Sequence, residues 1–225
     1  MASLMKYAAT GVCLSILAGI TIVAIGNLPG GVDKQNKSKG KPFSINLTKP
    51  VAANAMEKNY TQRLDSLGTQ LQEYARANGY NGQCVFMIDM RLPSGQNRFF
   101  VYDLHRDSIL AQGLVAHGYG ADDGRLQFSN VPGSNCTSLG RYRIGKSYHG
   151  RFGLAYKLHG LDSSNSKAFE RFVVLHAHSC VPEQEVAPLP ICQSQGCPTV
   201  APAFLQLLKK YIENSKAPIL MSINN

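Results

Sequence analysis

A chain of 225 residues, 44% of them apolar, is long enough for one substantial domain plus an appendage and too apolar to stay disordered. Its 23 Lys and Arg against 14 Asp and Glu leave a formal charge of +9, which favours anionic surroundings such as a phospholipid membrane or wall polymers. The basic residues are scattered and no motif interleaves them with aromatics, which argues against nucleic acid as a partner.

Residues 1–26 come first. Lys6 is the only charge among the first 27 residues, and Tyr7 to Gly26 is uncharged and mostly apolar. This reads as a signal peptide or a single membrane anchor. Ala24-Ile25-Gly26 has the small-x-small pattern of a cleavage site, while the length of the apolar run is adequate to span a bilayer. Cys13 follows Val12 rather than a small residue, which speaks against a lipoprotein. Lys34, Lys37, Lys39 and Lys41 lie just beyond the run, where flanking positive charge prefers the cytoplasm. Export is still the favoured reading, to the periplasm or cell envelope, with residues 7–26 as an alternative inner-membrane anchor. Residues 27–55, rich in Gly, Asn, Lys and Pro without periodicity, read as a flexible basic linker suited to an anionic membrane or wall surface.

The domain is expected over residues 56–225. Tyr60, Leu64, Leu67, Leu71 and Tyr74 recur at three- and four-residue intervals, which predicts an amphipathic helix from Met56 closed by Asn78-Gly79. Short β-prone runs follow at Val85–Met90, Arg98–Asp103 and Ser108–His117, with Pro93-Ser-Gly95 turning the first two into a hairpin. Further strands are expected near 138–144, 153–158 and 172–176. A helix over 201–214 carries Phe204, Leu205, Leu207, Leu208 and Tyr211, and residues 218–222 close the sheet. The fold class is mostly β with flanking helices.

Two residues carry the chemistry. His176 ends the apolar run Arg171-Phe-Val-Val-Leu-His176, and Cys197 lies in the small-residue turn Ser194-Gln-Gly-Cys-Pro198. A thiolate nucleophile needs a base within hydrogen-bond reach, and a strand end fixes the direction of an imidazole. Gly196 permits a tight turn, so N–H groups near Gln195, Gly196 and Cys197 are expected to converge on a developing oxyanion. By itself, such a pair more often describes a core thiol and a satisfied histidine.

The surrounding residues go further. Ala116-His-Gly118, Phe128-Ser-Asn130, Pro132-Gly-Ser134, Ser138-Leu-Gly140 and Tyr148-x-Gly150-x-x-Gly153 occur in order. They are followed by Leu158-x-Gly160-Leu161, Asn165, Ala168, Arg171, Val174-x-His176 and Ser194-x-Gly196-Cys197-Pro198. Roughly residues 83–222 thereby resemble the second YkuD-type family of murein L,D-transpeptidase catalytic domains. The resemblance implies a β-rich L,D-transpeptidase-like fold and acyl transfer on peptidoglycan stem peptides, without a cofactor. It makes Cys197 the nucleophile and His176 the base, with the Ala177 carbonyl orienting the imidazole and Ser194 bracing the nucleophile turn. The chain departs from the family pattern at Ala177, where a glycine is usual, and at Gln195, where the broader family has histidine or tryptophan. No arginine follows the cysteine. These departures bear on substrate choice more than on thiol chemistry.

His178 competes for the base role, and His117 ends a strand where it can line the cleft. Tyr148 and Arg171 match the family pattern but read as packing or bracing residues. After Cys13 five cysteines remain, which one catalytic thiol and two disulfides would account for in an oxidising compartment. Cys180 and Cys192 bracket the loop Val181–Ile191 and form the natural pair; Cys84 with Cys136 follows by elimination, against isolated buried thiols. Three alternatives use the same residues: an L,D-carboxypeptidase that hydrolyses the same acyl-enzyme, a non-catalytic wall-binding domain, and a zinc-binding domain built from His176, His178, Cys180, Cys192 and Cys197.

Overall fold

The computed structural model describes residues 51–120 and 126–225, with side chains from Tyr60 onward. The apolar segment and most of the linker expected at the N-terminus lie outside the described residues. Among those described, no helix is long and apolar enough to cross a membrane.

The expected amphipathic helix runs Val51–Asn78 (α1), starting ahead of Met56, and Gly79 follows it at φ 70°, the left-handed geometry that ends helices. Leu64, Leu71 and Ala75 form its buried stripe, flanked by Tyr60, Leu67 and Tyr74. That stripe packs on one face of the sheet. The first two strands, Cys84–Asp89 (β1) and Phe99–Asp103 (β2), are buried on both faces. Alternation divides them: Val85, Met87, Phe100 and Tyr102 face α1, while Phe86, Ile88, Phe99 and Val101 enter the main core. There Phe99 meets Phe86 and the Phe204 ring of the second helix, Pro202–Glu213 (α2), the latter edge to face. One helix therefore seals each side of the β1–β2 region.

The remaining strands are Ser108–Gly113 (β3), Val115–Ala116 (β4), Gly140–Gly150 (β5), Gly153–Gly160 (β6), Val174–Ala177 (β7), Thr199–Val200 (β8) and Leu220–Asn224 (β9). They join one sheet in the order β3-β2-β1-β9-β5-β6-β7-β8-β4. The run expected as one strand over Ser108–His117 breaks at Leu114, and its two pieces occupy the two ends of this order. Because β3 and β4 adjoin in sequence, the sheet must curl until its ends approach, giving a barrel-like form. This brings β4, β7 and β8 together.

Two further differences have a physical reason. β5 continues past Ile144 to Gly150 as an exposed arm, whose residues Lys146–Gly150 show no apolar alternation for a pattern to detect. β8 is only two residues long, beside a proline, and owes its strand geometry to pairing with β7 and β4.

Candidate active site

β7 carries His176 between β6 and β8, pairing it with Ala155 on one side and Thr199 on the other. Its side chain is buried, at 5% exposure. Nδ1 lies 3.1 Å from the Ala177 carbonyl, which can only accept, so Nδ1 bears the hydrogen and Nε2 the lone pair. Nε2 is 3.0 Å from Thr199 Oγ1, which engages the lone pair of the candidate base. Phe152, at the tip of the β5–β6 hairpin, stacks on the imidazole with ring centroids 4.7 Å apart. Burial pulls the His176 pKa below the usual imidazole value; the Ala177 hydrogen bond opposes this and the neighbouring His178 adds to it.

The turn that carries Cys197 is fixed from several directions. The Ser194 N–H donates to the His117 carbonyl at 2.8 Å, and the Tyr119 N–H donates to the Ser194 carbonyl at 2.9 Å. Ser194 Oγ accepts the Gly196 N–H at 3.1 Å and donates to the Cys197 carbonyl at 2.7 Å, so its hydroxyl ties the turn to itself. Gly196 has φ 106°, and a Cβ there would lie 2.7 Å from the Cys136 carbonyl, so glycine is required. Gly118 is equally confined, since its Cβ would meet the Asn135 carbonyl at 2.1 Å. Arg171 ties this neighbourhood together, donating to the Ser129 and Cys136 carbonyls, both at 2.8 Å, and to Ser138 Oγ.

Cys197 Sγ lies 3.5 Å from the Val174 N–H and 3.9 Å from the Phe172 carbonyl. Burial raises its pKa above the ordinary thiol value, opposed by the Val174 N–H and the Arg171 charge. The fold brings His176 and Cys197 to adjoining segments, because β8 begins two residues after the cysteine. Among the described residues no hydrogen bond joins Sγ to the imidazole; Thr199 occupies Nε2. Of the three N–H groups expected near a developing oxyanion, one is engaged. The Gly196 N–H is taken by Ser194 Oγ, while the Gln195 and Cys197 N–H groups have no acceptor among the described residues.

The other histidines separate. His178 is exposed, accepts the Cys180 N–H through Nδ1 and meets the edge of Phe152. His117 is held by Arg98, whose guanidinium is 1% exposed and donates to the carbonyls of Val115 and Leu92 and, at 2.8 Å, to His117 Nδ1. His117 Nε2 lies 3.4 Å from the Gln193 side-chain amide, next to the nucleophile turn. Burial and the Arg98 charge pull the His117 pKa down to about 4. Arg98, Phe152 and Thr199 escaped sequence reasoning. Only Thr199, two residues beyond the cysteine, offered a positional hint.

The Cys180–Cys192 disulfide is present and closes the loop between histidine and cysteine. The pairing of Cys84 with Cys136 is overturned: both are free and buried. Cys84 opens β1 opposite Asp103, whereas Cys136 Sγ packs against Gly120 beside the nucleophile turn, so elimination joined two thiols that the fold keeps in different neighbourhoods. The same disulfide dismantles the zinc set, since two of its five ligands are bonded to each other. Among the described residues no cluster of three metal-ligating side chains occurs.

A buried imidazole and a glycine-flanked thiol thus lie on adjoining segments of a mostly β sheet. The family model for the L,D-transpeptidase catalytic domain matches residues 55–220, and the chain belongs to that family. Solved structures with likeness to it include the helical cell shape determining protein Pgp2 of Campylobacter jejuni (9% identity, TM-score 0.40, covering 63% of this chain and 47% of that one). A mutant L,D-transpeptidase of Enterococcus faecium is 9% identical, with TM-score 0.39 and coverage of 63% and 49%. An L,D-transpeptidase of Mycobacterium smegmatis is 12% identical, with TM-score 0.37 and coverage of 64% and 59%. The chain spans about half the length of the first two. No curated protein sequence matches it.

Proposed function

We propose that the protein is a cell-envelope murein L,D-transpeptidase in which Cys197 is the nucleophile and His176 its general base. The Cys197 thiol attacks the carbonyl between an L-centre and a D-residue of a peptidoglycan stem peptide. His176 Nε2 takes the thiol proton and returns it to the departing amine of the D-residue, leaving a thioester on Cys197. The amine of a second stem peptide then attacks the thioester and restores the thiol. Water in place of that amine gives the L,D-carboxypeptidase outcome from the same intermediate. The N–H groups of Cys197 and Gln195 are the candidates for the oxyanion. For Nε2 to receive the proton, the Thr199 hydroxyl must yield its place by rotating about χ1.

The observation that carries this reading is the placement of an oriented, neutral imidazole on the strand beside the Cys197 turn, in a domain of this family. Export and contact with the anionic envelope surface belong to the same proposal. The test is intact-mass analysis of the protein and its Cys197→Ala variant with muropeptide monomers. The expected result is Cys197-dependent cross-linked dimers. Shortened monomers would make it a carboxypeptidase, and a folded protein giving neither product nor acyl-adduct would refute the catalytic reading and leave wall binding.

A further inference from the structure

Beside the thiol, the β5–β6 arm and the turn before β7 enclose a groove of about 300 Å3 lined by Tyr148, Lys157, Phe169, Phe172, Val173 and Val174. It adjoins Cys197 through two of its lining residues, whose Val174 N–H and Phe172 carbonyl lie 3.5 and 3.9 Å from Cys197 Sγ. Its walls are aromatic and open to solvent: Phe172 is 84% exposed and Phe169 51%. Exposed rings of this size clustered at one place mark a binding surface rather than a packing accident.

The Phe172 backbone supports the same point. Its φ is 57°, a left-handed conformation unfavourable for a bulky residue. Hydrogen bonds from the Phe172 N–H to Phe169 O (3.1 Å) and from the Val173 N–H to Ala168 O (2.9 Å) hold it there. The ring is thereby turned outward although burial would be favourable. Strain maintained against an apolar side chain's preference points to a function at that position.

Lys157 supplies the charge. Its Nζ lies 5.5 Å from the Phe169 ring and 5.9 Å from the Tyr148 ring. Among the described residues no carboxylate pairs with it. A cation set between aromatic walls, without a counter-ion among the described residues and next to the Cys197 thiol, is complementary to a carboxylate on an extended chain.

We propose that this groove binds an anionic peptide segment, Lys157 pairing with a carboxylate while Tyr148, Phe169 and Phe172 pack on the peptide planes and aliphatic stems around it. The inference rests on Cys197 being the acylating thiol and makes Lys157 a specificity-determining residue for the peptide that reaches it. The carboxylate is either the peptide's terminal one or one on a side chain.

The experiment uses the full chain carrying Cys197→Ser, so that binding is read without turnover. Calorimetry measures a tetrapeptide muropeptide monomer, the same monomer amidated at its C-terminus, and the same monomer amidated at its side-chain carboxylates. Lys157→Gln should weaken binding of the parent monomer about fivefold, and Lys157→Arg should restore it. Amidating the carboxylate that Lys157 contacts should cost as much and should cost nothing further in Lys157→Gln, which identifies that carboxylate. Equal affinity with and without the Lys157→Gln substitution, or no binding of the parent monomer, overturns the proposal. Product analysis with Cys197 intact tells the two readings apart: turnover with an unaffected KM in Lys157→Gln sinks the groove alone, whereas Lys157-dependent binding without any product sinks the catalytic reading alone.

Discussion

At the residue scale, burial moves the two candidate catalytic groups in opposite directions. The Cys197 thiol is held above its ordinary pKa and the His176 imidazole below its own, so near neutral pH both are uncharged. On the proposed mechanism, proton transfer then accompanies attack instead of preceding it. A preformed thiolate–imidazolium pair would demand the reverse shifts. The proposed base role needs His176 unprotonated, so kcat/KM should fall as pH drops through a midpoint below 6.5, the ordinary imidazole value. A second readout is alkylation of Cys197 by iodoacetamide, followed by peptide mass. Its rate should rise only at pH above 9, the ordinary thiol value, and a midpoint near 6 would instead reveal an ion pair. The roles proposed for Ala177 and Ser194 come from the family resemblance, and the hydrogen bonds that go with them span only one to three residues. Thr199 as the partner of Nε2 was not legible, since a β7–β8 pairing sets that contact.

At the element scale, the loop from Cys180 to Cys192 is docked as well as bridged. The Val186 and Ala187 N–H groups donate to the Gly95 carbonyl at 2.9 and 3.0 Å, and Ser94 Oγ accepts the Ile191 N–H at 3.2 Å. A Cβ at Gly95 would lie 2.0 Å from the Leu189 carbonyl, so the β1–β2 turn and the loop are in backbone contact. Glu183 reaches the start of α2, accepting the Ala203 N–H at 3.0 Å. The disulfide spans 12 residues, for which chain entropy gives about 3 kcal/mol. Cys180→Ser with Cys192→Ser should therefore lower the unfolding free energy by up to about 3 kcal/mol, read as a lower denaturant midpoint. The remaining anchors keep the loop folded in the double variant. An unchanged midpoint would mean that they restrain the loop without help from the disulfide. Both helices were readable because their apolar stripes repeat at helical spacing over many residues. The β5 arm was not, because its exposed residues carry no pattern.

Across the molecule as a whole, Arg98 joins the hairpin, β4 and the nucleophile turn through its bonds to Leu92, Val115 and His117. Because the folded state keeps His117 neutral down to about pH 4, the unfolded chain binds more protons between pH 6.5 and 4. Stability should then decline as pH falls through that window. Urea unfolding across these pH values checks it, and His117→Gln should flatten the slope; an equal slope in the variant would assign it to other groups. The two helices, most of the strands and the family could be read from the linear chain, and the thiol and imidazole were singled out there as candidates. They rest on local periodicity and on residue identities that survive in one dimension. Three features had to wait for the folded molecule: Cys84 and Cys136 stay apart, one apolar run supplies both ends of a curled sheet, and Arg98, Phe152 and Thr199 surround the site. Each depends on contacts between segments distant in the chain, created when the sheet curls and buries its interior.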